Sequence, residues 1–468
     1  DYTVKVKPGS DFWINDFSLR LIATCFYCAA LVELWHESFF CAAANKNWTE
    51  AMKIVLLSIG TRGDMEPFLA IGEILKEIGD LVICCFPDQF RDLVVEPGLE
   101  FASLGSKYID SLESDVGRSA VGGDGSGFKK FLNNIELARI QAEINKELVI
   151  RQYEIIEREN PDRVLYNGKA TNPLLWELDN RGKSILICPS PYMHYVRDHA
   201  HIAFHRNLGP YFNKLSYAFV DFGSTMTVKI SVNWLNRPRK YTRKQINISL
   251  ASRRAIYTIS PSLFSRPDYW NANLQVAGFH ERKRSINWQP DADLIDFIRK
   301  HDRILLITFG SMTNPGPVEK TKKLVDILVR NKIPTIINTA SGGLVKPDKY
   351  ASKLIHFVSR IPYDWIFPQI HSVIHHGGSG TTHLALRNGC ATMIIPHIID
   401  QFVWNNIVYD LGVGPKGVKI DKITQKILEP KILDLVNNKS YKEKAEQVAR
   451  QMRTENLREV IYQSVIEK

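Results

Sequence analysis

Ile54-Val55-Leu56-Leu57-Ser58-Ile59-Gly60 is an almost unbroken apolar run, interrupted only by Ser58 and closed by a glycine. Behind it, Phe68, Leu69, Ile71, Ile74, Leu75 and Ile78 gather toward one face of a helix, and Leu81 to Phe86 supplies a second apolar run. Apolar strands separated by an amphipathic helix are the pattern of a parallel sheet covered on both faces. Further strands are expected at Val164–Tyr166, Ser184–Cys188 and Ile256–Ile259, and Phe131 to Ile156 carries Leu137, Ile140, Ile144 and Leu148 at helical spacing. The polar stretch Arg266 to Pro290 has no strong periodicity and reads as a linker. Beyond it the alternation restarts, with strands at Ile304–Phe309, Pro334–Asn338, Ile355–Val358, Ser372–His375 and Thr392–Ile395. Helices are expected at Val318–Val329 and Thr381–Asn388, and helical segments between about Ile423 and Glu467 close the chain. Two such arrays predict an α/β fold of two Rossmann-like, doubly wound domains facing across a cleft. The expected divisions are an extension over 1–51, a first domain over 52–265, a linker over 266–290 and a second domain over 291–450. A C-terminal helix over 451–468 is placed so that it can pack back on the first domain.

Composition narrows the partners. At 468 residues the chain has room for two or three domains. With 44% hydrophobic and 24% charged residues, it is neither disordered nor a polytopic membrane protein. The net charge of +10 suits an anionic partner such as a nucleotide, or an acidic membrane surface, and falls short of a nucleic-acid binder. Seven cysteines, an odd count, argue for a reducing compartment and a cytoplasmic location. Cys84, Cys85, Cys188 and Cys390 sit in or beside apolar runs and read as buried thiols, while Cys25-x-x-Cys28 lacks a second pair for zinc. The apolar stretch Leu21 to Val32 is too short to span a bilayer, which takes about 20 residues. Met52 then opens a pattern like a natural protein start, so residues 1–51 read as an extension, docked on a surface or poorly ordered, without chemistry.

Three segments carry polar residues where strands give way to helices. In Val373-Ile374-His375-His376-Gly377-Gly378-Ser379-Gly380-Thr381-Thr382-His383 a strand runs through glycines into a helix start, which suits a phosphate cradle. A serine-capped turn is the plainer alternative. After Pro396, Asp400-Gln401 suits recognition of sugar hydroxyls, or Asp400 simply caps a helix. Gly60-Thr61-Arg62-Gly63-Asp64-Met65-Glu66-Pro67 puts Asp64 in a loop directed at the cleft, as a general base or again as a cap. The run Gly122-Gly123-Asp124-Gly125-Ser126-Gly127 follows no convincing strand and reads as a flexible loop.

At these residues the chain resembles the family 1 nucleotide-sugar glycosyltransferases of the GT-B fold, in the branch of sterol and glycopeptide or macrolide glycosyltransferases. The resemblance covers about residues 52–465. It is carried by Phe357-Val358-Ser359-Arg360-Ile361-Pro362, by His375-His376-Gly377-Gly378-Ser379-Gly380-Thr381-Thr382, and by Pro396 with Asp400-Gln401-Phe402. It implies that His376, Gly378, Ser379, Gly380 and Thr381 hold the diphosphate, with Gly310 and Ser311 closing on it. It implies further that the base lies along Val358 and Arg360, and that Asp400 and Gln401 bind the donor sugar. Asp64 is the implied catalytic base, and Thr61, Arg62, Tyr192 and His194 line the acceptor site. His383 stands in place of a small residue, and His397 where phenylalanine or glutamine is frequent; both are expected to alter sugar choice.

The implied reaction is an inverting transfer of a hexose, glucose first, from a UDP-sugar co-substrate to a hydroxyl of an apolar acceptor such as a sterol, lipid, polyketide or flavonoid. Asp64 takes the hydroxyl proton, while His376 and the helix amides meet the departing diphosphate. No cofactor and no metal are called for, and Asp291-Ala292-Asp293 reads as a helix cap. Tyr192, Phe204, Tyr211, Phe212, Tyr217, Phe219 and Phe222 suit a flat apolar molecule, with core packing the better account of most. The basic stretches Arg237–Lys244 and Arg282–Arg284 suit peripheral contact with an anionic membrane; no nucleic-acid partner is expected. A nucleotide-sugar epimerase of the same architecture and a non-catalytic binding protein stand as alternatives.

Overall fold

The computed structural model describes residues 51–113, 127–235, 241–282, 288–312, 314, 316–340, 342–455 and 458–466. The extension over 1–51 falls outside them apart from its last residue, as do the glycine run except Gly127, residues 237–240 and 283–284 of the basic stretches, and the side chains of Leu137 and Ile140.

Lys53–Leu57 forms β1, buried along almost its whole length. It pairs in parallel with β2 (Leu81–Phe86) on one side and β4 (Arg163–Tyr166) on the other. The first sheet has seven strands in the order β3-β2-β1-β4-β5-β6-β7, with β3 at Glu100–Ser103, β5 at Ser184–Cys188, β6 at Arg254–Tyr257 and β7 at Leu274–Val276. The second has five, in the order β10-β9-β8-β11-β12, made by Ile355–Val358, Thr335–Asn338, Leu305–Thr308, Ser372–His375 and Ala391–Ile394. All pairings are parallel, which requires a crossover between successive strands and keeps both faces covered. The stretch read as a linker needs correction: β7 lies inside it and extends the first sheet. The chain crosses to the second lobe only afterwards, with Phe279 and Trp288 packed against that lobe's core.

Each sheet reverses its winding once, between β1 and β4 and between β8 and β11. At such switch points the chain leaves adjacent strands in opposite directions and opens a crevice at their carboxyl ends. In the first lobe the crevice is flanked by the turn into α1 (Arg62–Ile78) and by the turn after β4. In the second it is flanked by Phe309-Gly310-Ser311 and by the turn into the helix Ser379–Arg387.

The lobes share one buried cluster that runs from Tyr257, Ile259 and Phe264 to Trp404, Val408 and Met452. Polar contacts fix the junction. The Ser260 amide donates to His383 Nε2 at 3.1 Å, and Glu455 Oε1 accepts from the Ser260 and Ser262 hydroxyls at 2.7 and 2.6 Å. The last helix, Arg458–Ile466, lies on the first lobe: Ile461 and Val465 enter its core, and Arg163 and Arg254 donate to the carbonyls of Val465 and Ser464. Arg282 is also internal. It bonds Glu73 at 2.8 Å and Glu66 at 3.2 Å, so it belongs to the packing around α1 and not to a membrane-facing surface.

Candidate active site

Asp64 departs from its expected place. The helix begins at Arg62, with Thr61 as N-cap, so Asp64 sits in the first turn and not in a loop. Its Oδ2 accepts from the Thr61 amide at 2.8 Å and from the Thr61 hydroxyl at 3.3 Å, so the carboxylate satisfies the N-cap amide. Its Oδ1 accepts from Lys169 Nζ at 2.9 Å. Arg62 is engaged as well, bonded to Glu66 at 2.9 Å.

Lys169 escaped the sequence reading. It lies in the turn after β4, 105 residues from Asp64, and only the switch-point topology brings the two together. Asn167 ties their turns, donating to Ser58 Oγ at 3.0 Å and to the Ile59 carbonyl at 2.7 Å. Burial, the largest single influence, pulls the Lys169 ammonium down, but Asp64, Tyr108 and Asp400 together leave it above its ordinary value.

The equivalent place in the second lobe is built differently. His376 is buried, and its ring is wedged between two glycines. A Cβ on Gly310 would lie 2.9 Å from His376 Cε1, and one on Gly378 would lie 2.6 Å from His376 Nε2. Gly310 also has φ +57°, which disfavours any L side chain there. Burial, reinforced by His397, lowers the His376 pKa to about 3, so the imidazole is neutral; its Nδ1 is buried without a protein partner. The adjoining helix Ser379–Arg387 has Gly378 as N-cap and no side-chain cap. Its first bonded amide in the turn is Thr382, to the Gly378 carbonyl at 2.9 Å, which leaves the amides of Ser379, Gly380 and Thr381 facing out of the helix end. An anion is the natural occupant of such a terminus.

The remaining donor-site residues surround this turn. Gln401 Oε1 accepts from the amides of His397 at 2.7 Å and Ile398 at 3.2 Å, so the side chain caps its helix, Ile399–Asp410, and keeps only its amide NH₂ for a ligand. Asp400 is not the cap: it lies one residue inside that helix. Its Oδ2 meets Ser190 Oγ of the first lobe at 3.5 Å. Burial first, then the Asp64 charge, raise the Asp400 pKa to about 6, with Lys169 and Ser190 opposing. Asp64, Lys169, Ser190 and Asp400 therefore form one electrostatic group where the lobes meet. The Val358 carbonyl already accepts from the Thr339 amide at 2.9 Å, while Arg360 and Ser311 are exposed.

Both variant histidines have structural partners. His383 is fully buried, stacks on Phe279 at 4.6 Å, donates from Nδ1 to the Ser379 carbonyl at 2.7 Å and receives the Ser260 amide across the lobes. His397 bonds the Ile395 carbonyl at 2.9 Å and packs edge-on against Phe309. Asp291 caps its helix through the Leu294 amide at 2.7 Å. Among the described residues no group of three or more histidine, cysteine or acidic side chains is placed to hold a metal. The four described cysteines are buried free thiols.

The acceptor candidates divide. His194 lines a cavity of about 250 Å³ in the first lobe together with Tyr217, Arg253, Tyr269 and Trp270. Its ring is engaged on both sides, by Tyr257 Oη at 2.8 Å and by Arg253 Nε at 3.2 Å. Tyr192, with φ +60°, stacks on His199 at 3.9 Å. Tyr217 is buried, whereas Phe204, Tyr211, Phe212, Phe219 and Phe222 are exposed, so core packing does not account for them.

Residues 54–165 match the glycosyltransferase family 28 N-terminal domain, and residues 349–467 match the erythromycin biosynthesis protein CIII-like C-terminal domain. A sterol 3-beta-glucosyltransferase of Arabidopsis thaliana is 28% identical over 433 residues, covering 86% of this chain and 64% of its own length. One of Saccharomyces cerevisiae is 25% identical, covering 85% of this chain and 33% of its own. The chain thus spans less than two thirds of either relative. In fold it is similar to the kitacinnamycin glycotransferase, with TM-score 0.65, 15% identity and 89% of this chain and 100% of that one covered. It is also similar to SnogD of Streptomyces nogalater, with TM-score 0.59, 17% identity and coverage of 89% and 99%.

Proposed function

We propose that this chain, a family 1 glycosyltransferase of the GT-B fold, transfers glucose from UDP-glucose to the hydroxyl of a sterol or similarly apolar lipid, with inversion at the anomeric carbon. The observation that carries it is the uncapped helix at Ser379 beside a neutral, pinned His376. Backbone amides, the helix dipole and an imidazole N–H are fixed donors for the charge that grows on a leaving diphosphate, and being preorganised they need no reorientation during the reaction. Those donors make a divalent ion unnecessary in this scheme.

Opposite them, Asp64 serves as the base. The Lys169 contact holds the carboxylate in place; an incoming hydroxyl displaces the ammonium from Oδ1 and gives its proton there as its oxygen attacks. Asp400 and the Gln401 amide orient the sugar. The sterol acceptor is suggested by the relatives named above, and the same relatives give no support to an epimerase. Peripheral association with a membrane, where such acceptors reside, is part of the proposal; no helix among the described residues is long and apolar enough to cross one. The test is product formation from UDP-glucose with a panel of sterols, read by mass spectrometry. A glucosylated sterol is expected, and consumption of UDP-glucose without acceptor dependence would refute transfer.

A further inference from the structure

The helix Pro210–Trp234 is turned inside out. Its buried side carries Asn213, Ser216, Tyr217, Thr225, Val228 and Ser231, mostly small and polar. Its solvent side carries Tyr211, Phe212, Leu215, Phe219, Phe222 and Ile230, with Tyr211 76%, Phe212 58% and Phe219 68% exposed. The steps of four, four and three from Tyr211 through Leu215 and Phe219 to Phe222 make this one continuous stripe. Asn213 and Thr225 are satisfied locally on the inner side: Asn213 donates to the Arg197 carbonyl at 2.9 Å, and Thr225 Oγ1 meets the Asp221 carbonyl at 2.9 Å and Asn247 at 2.8 Å. The orientation is therefore fixed by bonding on the inner side, and the aromatic face is left uncovered. Exposed apolar stripes of this kind mark a surface that another phase or molecule covers.

We propose that this face docks on an anionic lipid bilayer. Charge selects that occupant: Lys214 and Lys229 stand on the same helix, and Arg243 and Lys244 open the next one, Arg243–Ser252. The Arg243 guanidinium lies over the Phe222 ring at 5.0 Å, a cation at the edge of the apolar stripe. Between Pro210 and Ser252 the sole acidic residue is Asp221, and Arg253 neutralises it at 3.6 Å. Aromatic rings flanked by lysine and arginine are suited to the boundary between headgroups and acyl chains. Position agrees with it. His205 packs on Phe402 at 5.2 Å, beside Asp400, and the helix begins five residues later, so the stripe starts at the edge of the cleft. A lipid occupant also accords with the apolar acceptor proposed above, although docking itself does not depend on catalysis.

The test is flotation of the full chain with phosphatidylcholine vesicles containing or lacking phosphatidylserine. The wild type should float with phosphatidylserine vesicles. Phe212→Ser combined with Phe219→Ser and Phe222→Ser should weaken that binding at least tenfold, since each buried phenylalanine side chain contributes more than such a factor. Lys214→Gln with Lys229→Gln and Lys244→Gln should weaken it on phosphatidylserine vesicles alone. Melting temperature and UDP affinity should be unchanged in both variants, which separates docking from the folded state and from donor binding. Absence of flotation by the wild type, or equal flotation of the phenylalanine variant, would overturn the proposal. So would a wild-type dimer in sedimentation that dissociates on the phenylalanine substitutions without any vesicle binding, which would assign the stripe to a second copy. Vesicle binding by a chain that fails to bind UDP would leave docking standing and remove the proposed transferase function.

Discussion

The two switch points differ in what fills them. In the first lobe the helix start carries its own acceptor, with the Asp64 carboxylate receiving the Thr61 amide and hydroxyl and pairing with Lys169. In the second the corresponding helix start has a glycine cap, open amides and an imidazole with an unpartnered nitrogen. One topology thus supplies a self-satisfied, charged corner and an unsatisfied, neutral one. Unsatisfied buried donors are costly unless a ligand completes them, so the second corner is the one shaped by binding and the first is shaped for a proton.

The sharpest way to break this contrast is Asp64→Asn. Turnover should fall by roughly 10² to 10⁴-fold, the usual contribution of a general base, while UDP affinity stays within about twofold, read by steady-state kinetics and calorimetry. Capping survives in this variant because the amide oxygen still accepts. Next in size is His376→Ala, which should weaken UDP binding by roughly tenfold to a hundredfold, as expected for a hydrogen bond to a charged group. His383→Ala should lower stability by about 1–3 kcal/mol through the unpaired Ser260 amide, seen in urea denaturation, with UDP affinity little changed.

The smallest effect is a pH dependence. Asp400 keeps its proton up to about pH 6 in the folded chain and releases it near its ordinary value, 3.8, when unfolded. Between those values the folded state binds more protons, so this group makes stability fall as pH rises through the window. For the ligand the sign is opposite: the carboxylate that accepts sugar hydroxyls is present only above about pH 6, so UDP-glucose should lose affinity relative to UDP as pH drops through it. Lys169→Met should move that transition upward, because the ammonium favours the ionised form.

The second corner was largely legible in the sequence because its parts are contiguous: the β11 strand, two glycines and a helix start follow within a dozen residues. Lys169 was not, since its partner is distant in sequence and nothing local marks the turn after β4. Interior strands stood out by unbroken apolar runs, while β3 and β7 are edge strands with half-buried, partly polar sequences that carry no such signal. The aromatics Tyr211, Phe212, Phe219 and Phe222 were visible in the sequence, but neither their helix nor the face that turns inward was. Small polar residues bonded to neighbouring backbone decided that, against the rule that aromatics go inside.

The most direct measurement is a crystal structure of the chain with UDP. The diphosphate should lie at hydrogen-bonding distance from the amides of Gly380 and Thr381 and from the His376 ring, with the uracil toward Ser359 and Arg360. A diphosphate bound instead at Asp64 and Lys169, or an empty turn at Gly378 with UDP elsewhere, would contradict the account.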